Sequence, residues 1–233
     1  MKTILHKADD RGTVNHGWLH ANHSFSFASY YDPAKEQFGA LRVLNDDTVK
    51  AGYGFGMHPH SNMEIVTIPL KGALRHKDSG GNEGVIRAGD VQIMSAGKGI
   101  LHSEYATPEE DVNLFQIWVF PKMLNIEPRY DQRSFDSKER VNKWQTVVSP
   151  EGLDDALRIN QDAYFSLGNF DSNTSYKLNK NENGVYLMVI AGEVGIDGKE
   201  LKDRDAIGIT DVAEVEINVL KPAKLLAIEI PMK

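Results

Sequence analysis

Through most of this chain apolar residues recur at every second position, and very little of it repeats at helical spacing. The runs EIVTIPL (64–70), GVIRAGDVQIM (84–94), LFQIWVF (114–120), VYLMVIAG (185–192) and LLAIEI (225–230) are rich in β-branched and aromatic side chains. That is the pattern of strands with a buried face. DSGGN (78–82), DGK (197–199) and KPAK (221–224) supply turns around them. Pro69, inside the first run, points to a strand edge or a bulge, because proline has no N–H for the ladder. One short helical turn is expected within PEGLDDALRI (150–159). Many short strands with regular turns predict an all-β chain made of sandwiches or barrels.

The two halves repeat one order of elements. PLKGALRHKDSGGNEGVIRAGDVQIM reads strand, glycine, strand, tight turn, strand; VIAGEVGIDGKELKDRDAIGIT reads the same way. Gly192 then stands in the place of Gly72, and Asp205 in the place of Asp90. Each half closes on an apolar run ending in proline, QIWVFP (116–121) and AIEIP (227–231). Duplication of one β-unit accounts for this. We expect a unit over 1–121, a polar connection over 122–146 and a second unit over 147–233.

Composition narrows the chemistry. A chain of 233 residues, 41% hydrophobic, is long enough for two cores. The net charge of -7, without a cluster of Lys and Arg, argues against nucleic acid as a partner. No apolar run approaches the roughly 20 residues that span a bilayer, and the N-terminus lacks the apolar core of a signal peptide. The expected location is the cytoplasm and the expected state a monomer. There is no cysteine, so any metal must be held by nitrogen and oxygen.

All eight histidines lie at or before position 102. GMHPHSNME (56–64) places His58 and His60 two residues apart, and GILHSEY (99–105) places His102 and Glu104 likewise. On a strand, residues i and i+2 share a face. Two such strands side by side would aim three imidazoles and a carboxylate at one point. A lone His-x-His is weak evidence; two same-face pairs in one β-unit are stronger. Donors of this kind suit Fe(II), Mn, Ni, Cu, Zn or Co. Four protein ligands in an octahedral sphere leave two positions open, as chemistry or ligand binding requires.

GYGFGMHPHSNMEIVTIPLKG resembles the first cupin motif, through Gly52, His58, His60, Glu64 and Gly72; GDVQIMSAGKGILHSE resembles the second, through Gly89, Gly97 and His102. With LKGALRHKDSGGN, GWLHANHSFSFASYYDP and LRVLNDD, the likeness sharpens to bacterial pirins over residues 12–121. The resemblance implies a bicupin of two jelly-roll-like β-barrels, with one Fe(II)-type site in the first and a degenerate second cupin. It places the ligands on His58, His60, His102 and Glu104. Ser95 stands where the general motif often has proline, and Ala106, at its usual last ligand position, cannot ligate.

The implied activity is that of a quercetin 2,3-dioxygenase, which opens the central ring of a flavonol with O2 and releases carbon monoxide. Substrate and partner would be a small aromatic polyphenol and O2, with Glu104 as both ligand and catalytic base. The alternative is a metal-binding pirin-like regulatory or interaction protein whose dioxygenase activity is incidental or missing. Glu64 is read as sharing the face of His58 and His60, as a barrel-wall residue or a support for the ligands, with ligation as the lesser reading. His76 is read as a polar strand residue near solvent, and His16, His20 and His23 as loop or surface residues, with lining of the pocket as the lesser reading. Phe25 and Phe27 are assigned to a core strand, with stacking on an aromatic substrate as a lesser reading for them and for Tyr30 and Tyr31.

Overall fold

The computed structural model describes residues 1–152 and 155–233. Among them, strands dominate, and the helical elements are single 3-10 turns at Ala8–Asp10 and Ser137–Arg140. Each apolar run falls on a single strand except GVIRAGDVQIM, which a turn at Ala88 and Gly89 divides between Glu83–Arg87 and Asp90–Ser95. In the segment expected to hold a helical turn, Leu153 and Asp154 lie outside the described residues, and Leu157–Arg158 is a strand.

Three sheets of four, seven and nine strands build the molecule. They stay open and stack as jelly-roll-like layers instead of closing into barrels. The four-stranded sheet orders Gly54–His60, Ile100–Ala106, Ala73–Asp78 and Glu83–Arg87. One face of the seven-stranded sheet packs on it through Leu19, Val49 and Leu114 against Leu74 and Ile86. The opposite face, with Leu44, Val66, Phe115 and Ile117, meets Val147, Phe165, Tyr186 and Ile228 of the nine-stranded sheet in one apolar core. A separate apolar cluster fills the second unit where the first keeps a cavity.

The internal repeat has a physical basis. Gly72 (φ 73°) and Gly192 (φ 100°) both sit in the left-handed region. A Cβ at Gly72 would lie 2.5 Å from Asp111 O, and one at Gly192 would lie 2.2 Å from Pro222 O. In each unit a neighbouring backbone passes where a side chain would stand. Asp90 accepts from Arg87 N at 2.9 Å, and Asp205 from Lys202 N at 3.0 Å, so both close the same three-residue turn.

Pro69 lies in the strand Glu64–Lys71, which is interior to its sheet, so the edge reading fails and the bulge reading holds. The register with Val112–Val119 shifts opposite Pro69, and pairing with Asp90–Ser95 stops at Thr67. The missing N–H thus meets no ladder. The strand Leu41–Val49 is not among the apolar runs, because Asn45, Asp46, Asp47 and Thr48 interrupt its alternation.

The connecting segment contributes Arg129–Ser134 to the sheet of the first unit, beside Asp90–Ser95. Conversely, Lys2–His6 pairs with Ala206–Thr210 in the nine-stranded sheet. Asp205 secures that exchange by accepting from Ala8 N at 2.8 Å and Lys7 Nζ at 2.9 Å. Burial pushes this carboxyl up, but the hydrogen bonds from Ala8, Lys7 and Lys202 hold it below the ordinary carboxylate range. The stability it confers is therefore present above that range and is lost as pH falls through the lowered value. Asp205→Ala is expected to cost about 2 kcal/mol at pH 7 and to speed amide exchange across Lys2–His6. Urea unfolding and hydrogen exchange check this, and the cost should shrink in strong acid.

Candidate metal centre

The strands Gly54–His60 and Ile100–Ala106 run antiparallel, with His58 opposite His102 and His60 opposite Ile100. The i, i+2 rule holds for the first pair, and both imidazoles point into the space between the two sheets. Ring centroids are 4.9 Å apart for His58 and His60, 4.4 Å for His58 and His102, and 4.9 Å for His60 and His102. Donor atoms of the three lie within 4.8 Å of one another. A register shift between His102 and Glu104 bends the strand after the third histidine.

Glu104 belongs to a second group of donors within 4.8 Å of one another, with His76 and His102. His102 is common to both groups. Neither nitrogen of the buried His102 has a hydrogen-bond partner, and neither does Glu104 Oε1. Glu104 Oε2 accepts from Gln116 Nε2 at 3.0 Å, and Gln116 Oε1 accepts from Thr67 Oγ1 at 2.8 Å. His58 Nδ1 lies 2.7 Å from Gly56 O, so it donates there and leaves Nε2 with a lone pair. Orphaned buried nitrogens beside an orphaned carboxyl oxygen fit a divalent cation, which would take up the lone pairs the protein leaves unused.

The electrostatics suit that donor set. Burial and the neighbouring His58 lower His60 to about 4. Burial, with His58, His60 and His76 nearby, lowers His102 to about 3. Both rings are neutral at neutral pH, as ligation demands. Burial pushes Glu104 up to about 7 against the opposing hydrogen bonds of Gln116 and Thr67.

Several side chains stand elsewhere than the sequence suggests. His76 is buried, not near solvent: Nε2 lies 3.1 Å from Asp78 Oδ2, and the ring stacks on Tyr130 at 4.5 Å. Asp78 is itself held by Gly80 N and Asn82 N, which fixes the ring with a bare, unpartnered Nδ1. Glu64 does not share the face of His58 and His60, because the chain leaves one sheet and enters another between residues 60 and 64. Its carboxyl accepts from Ser95 Oγ at 2.8 Å and Asn160 N at 3.1 Å, joining the two units. His16 and His20 are exposed, as expected, whereas His23 is buried on Asn45 Oδ1 at 2.9 Å. Phe25 is a core residue, but it lies outside any strand.

A cavity of about 490 Å³ opens beside the imidazoles. Trp18, Phe27, Phe55 and Trp118 give it aromatic walls; His23, Asn45, Asp47 and Gln116 add polar groups. Trp118 meets the His60 ring edge-on at 4.9 Å, and Phe27 packs on Trp118 at 5.3 Å. Phe27 is thus a pocket residue. His23 lines the pocket, the lesser of its two readings; Asp47 and Gln116 were missed because polar residues inside a cup look in sequence like residues facing water.

Stacked open sheets with an imidazole cluster in the first of two units define a bicupin of the metal-binding kind. The family model described as Pirin matches residues 5–119, and that of the quercetinase C-terminal cupin domain matches residues 146–230. The quercetin 2,3-dioxygenase of Escherichia coli K12 is 42% identical over 97% of this chain and 98% of its own. A pirin-like protein of Caulobacter vibrioides is 44% identical over 95% and 96%. The crystal structure of the bacterial pirin YhhW of Escherichia coli in complex with nickel(II) superposes with a TM-score of 0.93, at 41% identity over 99% of both chains. The chain belongs to the pirin family. No helix among the described residues is long and apolar enough to cross a membrane.

A carboxyl whose proton affinity is raised by folding costs stability above its raised value, and the cost fades as pH falls toward 4.5. In the metal-free protein, Glu104→Gln is therefore expected to stabilise by roughly 3 kcal/mol at pH 8 and by little at pH 5. Urea unfolding in the presence of a chelator at both values measures it.

Proposed function

We propose that His58, His60, His102 and Glu104 hold one divalent ion, iron(II) in the cell, and that the chain is a quercetin 2,3-dioxygenase acting on flavonols. The observation that carries the reading is the convergence of three imidazoles, two of them with strongly lowered proton affinity, at the edge of an aromatic-walled cavity. In this reading the unit over 1–121 carries the chemistry, 122–146 connects, and 147–233 is a second cupin without donors.

The side chains divide the work. The aromatic walls hold the flat rings of the flavonol and exclude water. Glu104 takes the proton of the 3-hydroxyl, and Gln116 steadies its Oε2. A bound divalent ion would lower the pKa of that hydroxyl and supply the electronic link between the electron-rich substrate and O2. Both atoms of O2 end in the opened ester, and the excised carbon leaves as carbon monoxide.

Protein loaded with Fe(II) and given quercetin in air should bleach the flavonol band and release carbon monoxide, and a chelator should stop both. Metal uptake without bleaching, across several polyphenols, would favour a metal-dependent interaction protein instead. Two variants sharpen the test. His102→Ala should lose most of the metal, as read by elemental analysis. Glu104→Gln should keep part of the metal and lose turnover by 100-fold or more, on the scale of general-base catalysis. Wild-type rates in Glu104→Gln would remove the base role.

A further inference from the structure

One acidic side chain in the cavity has no part in that chemistry. Asp47 lies on Leu41–Val49, with Asn45 and Asp47 directed into the cavity and Asp46 directed away from it. Asp46 is fully engaged, with Arg11 at 3.5 Å, Arg204 at 3.1 Å and Asn113 at 2.9 Å. Asp47 is the reverse. It is buried, and its Oδ1 has no hydrogen-bond partner among the described residues. Burial, with Asp46 and Glu104 nearby, raises it to about 8.

A buried carboxyl without a partner is costly, and folds remove such groups unless something else satisfies them. Nothing among the described residues does so for Oδ1. The strand also carries it to a defined place. Asp47 pairs with Leu114, two residues from Gln116, which holds Glu104. It therefore faces the same space as the imidazole cluster from the wall across from it. A second unpaired polar atom, the indole Nε1 of Trp118, belongs to another side chain lining that cavity.

We propose that Asp47 is a specificity residue, binding a second hydroxyl of an aromatic ligand whose first oxygen sits at the imidazole cluster. The inference rests on the flavonol reading and adds a substrate class to it: polyhydroxylated rings are selected over rings with one hydroxyl. A ligand that brings the second hydroxyl pairs the bare carboxyl, and that gain, which a ring without the hydroxyl cannot make, produces the discrimination.

Binding to Ni(II)-loaded protein under nitrogen tests this without turnover. Quercetin and 3-hydroxyflavone, which share the metal-facing oxygens, are titrated by tryptophan quenching into wild type, Asp47→Asn and Asp47→Ala. Wild type should bind quercetin at least tenfold tighter. Asp47→Ala should reduce that ratio to within about twofold by weakening quercetin alone, with Asp47→Asn between them. Asp47→Asn guards against a folding defect: without ligand it should melt no lower than wild type, since it removes a cost. Equal weakening of both ligands, or no discrimination by wild type, overturns the role of Asp47 and leaves the flavonol reading standing. Failure of wild type to bind either flavonol overturns both.

Discussion

The ladder between Gly54–His60 and Ile100–Ala106 is the constraint on which the centre depends. It sets His58 against His102 and leaves His60 two pairs further along, so that three rings meet at nearly equal spacing. Slipping the pairing by one residue would send these rings to the opposite face of the sheet. The rest of the molecule protects that register. The larger sheet covers the rings, and the second unit backs that sheet with a continuous apolar core. Rigid backing matters because ligands must be held within a fraction of an ångström to bind one ion.

The polar groups around the rings are arranged unevenly, and the unevenness is informative. Asp78 and Asp205 are carboxyls with donors on both oxygens, and they brace turns and joints. Glu64 joins the two units through Oε2 alone, and Glu104 and Asp47 likewise keep a bare oxygen. The doubly engaged carboxyls hold the architecture together, whereas Glu104 and Asp47 face the space where a cation and an organic guest would meet. Leaving such groups unpaired weakens the empty protein, which is the usual relation between a site's readiness and its stability.

How far the sequence discloses this depends on parity. The apolar strands and the pair His58 and His60 are legible because alternation survives within one uninterrupted strand. Glu64 is misplaced by the same rule, since parity means nothing once the chain has crossed from one sheet to another after His60. Leu41–Val49 escapes notice because one face serves a polar cavity and the other an ion-pair network, so neither looks apolar. His23 and His76 are hidden for a related reason: the partners that allow their burial, Asn45 and Asp78, are visible only after folding. The duplicated unit, by contrast, is readable from Gly72 and Gly192, where backbone contact forbids any side chain.

The strand Lys2–His6 completes the sheet of the other unit, with Lys2 opposite Thr210. During synthesis Lys2–His6 must therefore wait, unpaired, until Ala206–Thr210 has been made. The first cupin can assemble early, but this latch closes late, by a contact of very large sequence separation. Such a closing step ties the maturation of the centre to arrival of the half that carries none of its donors.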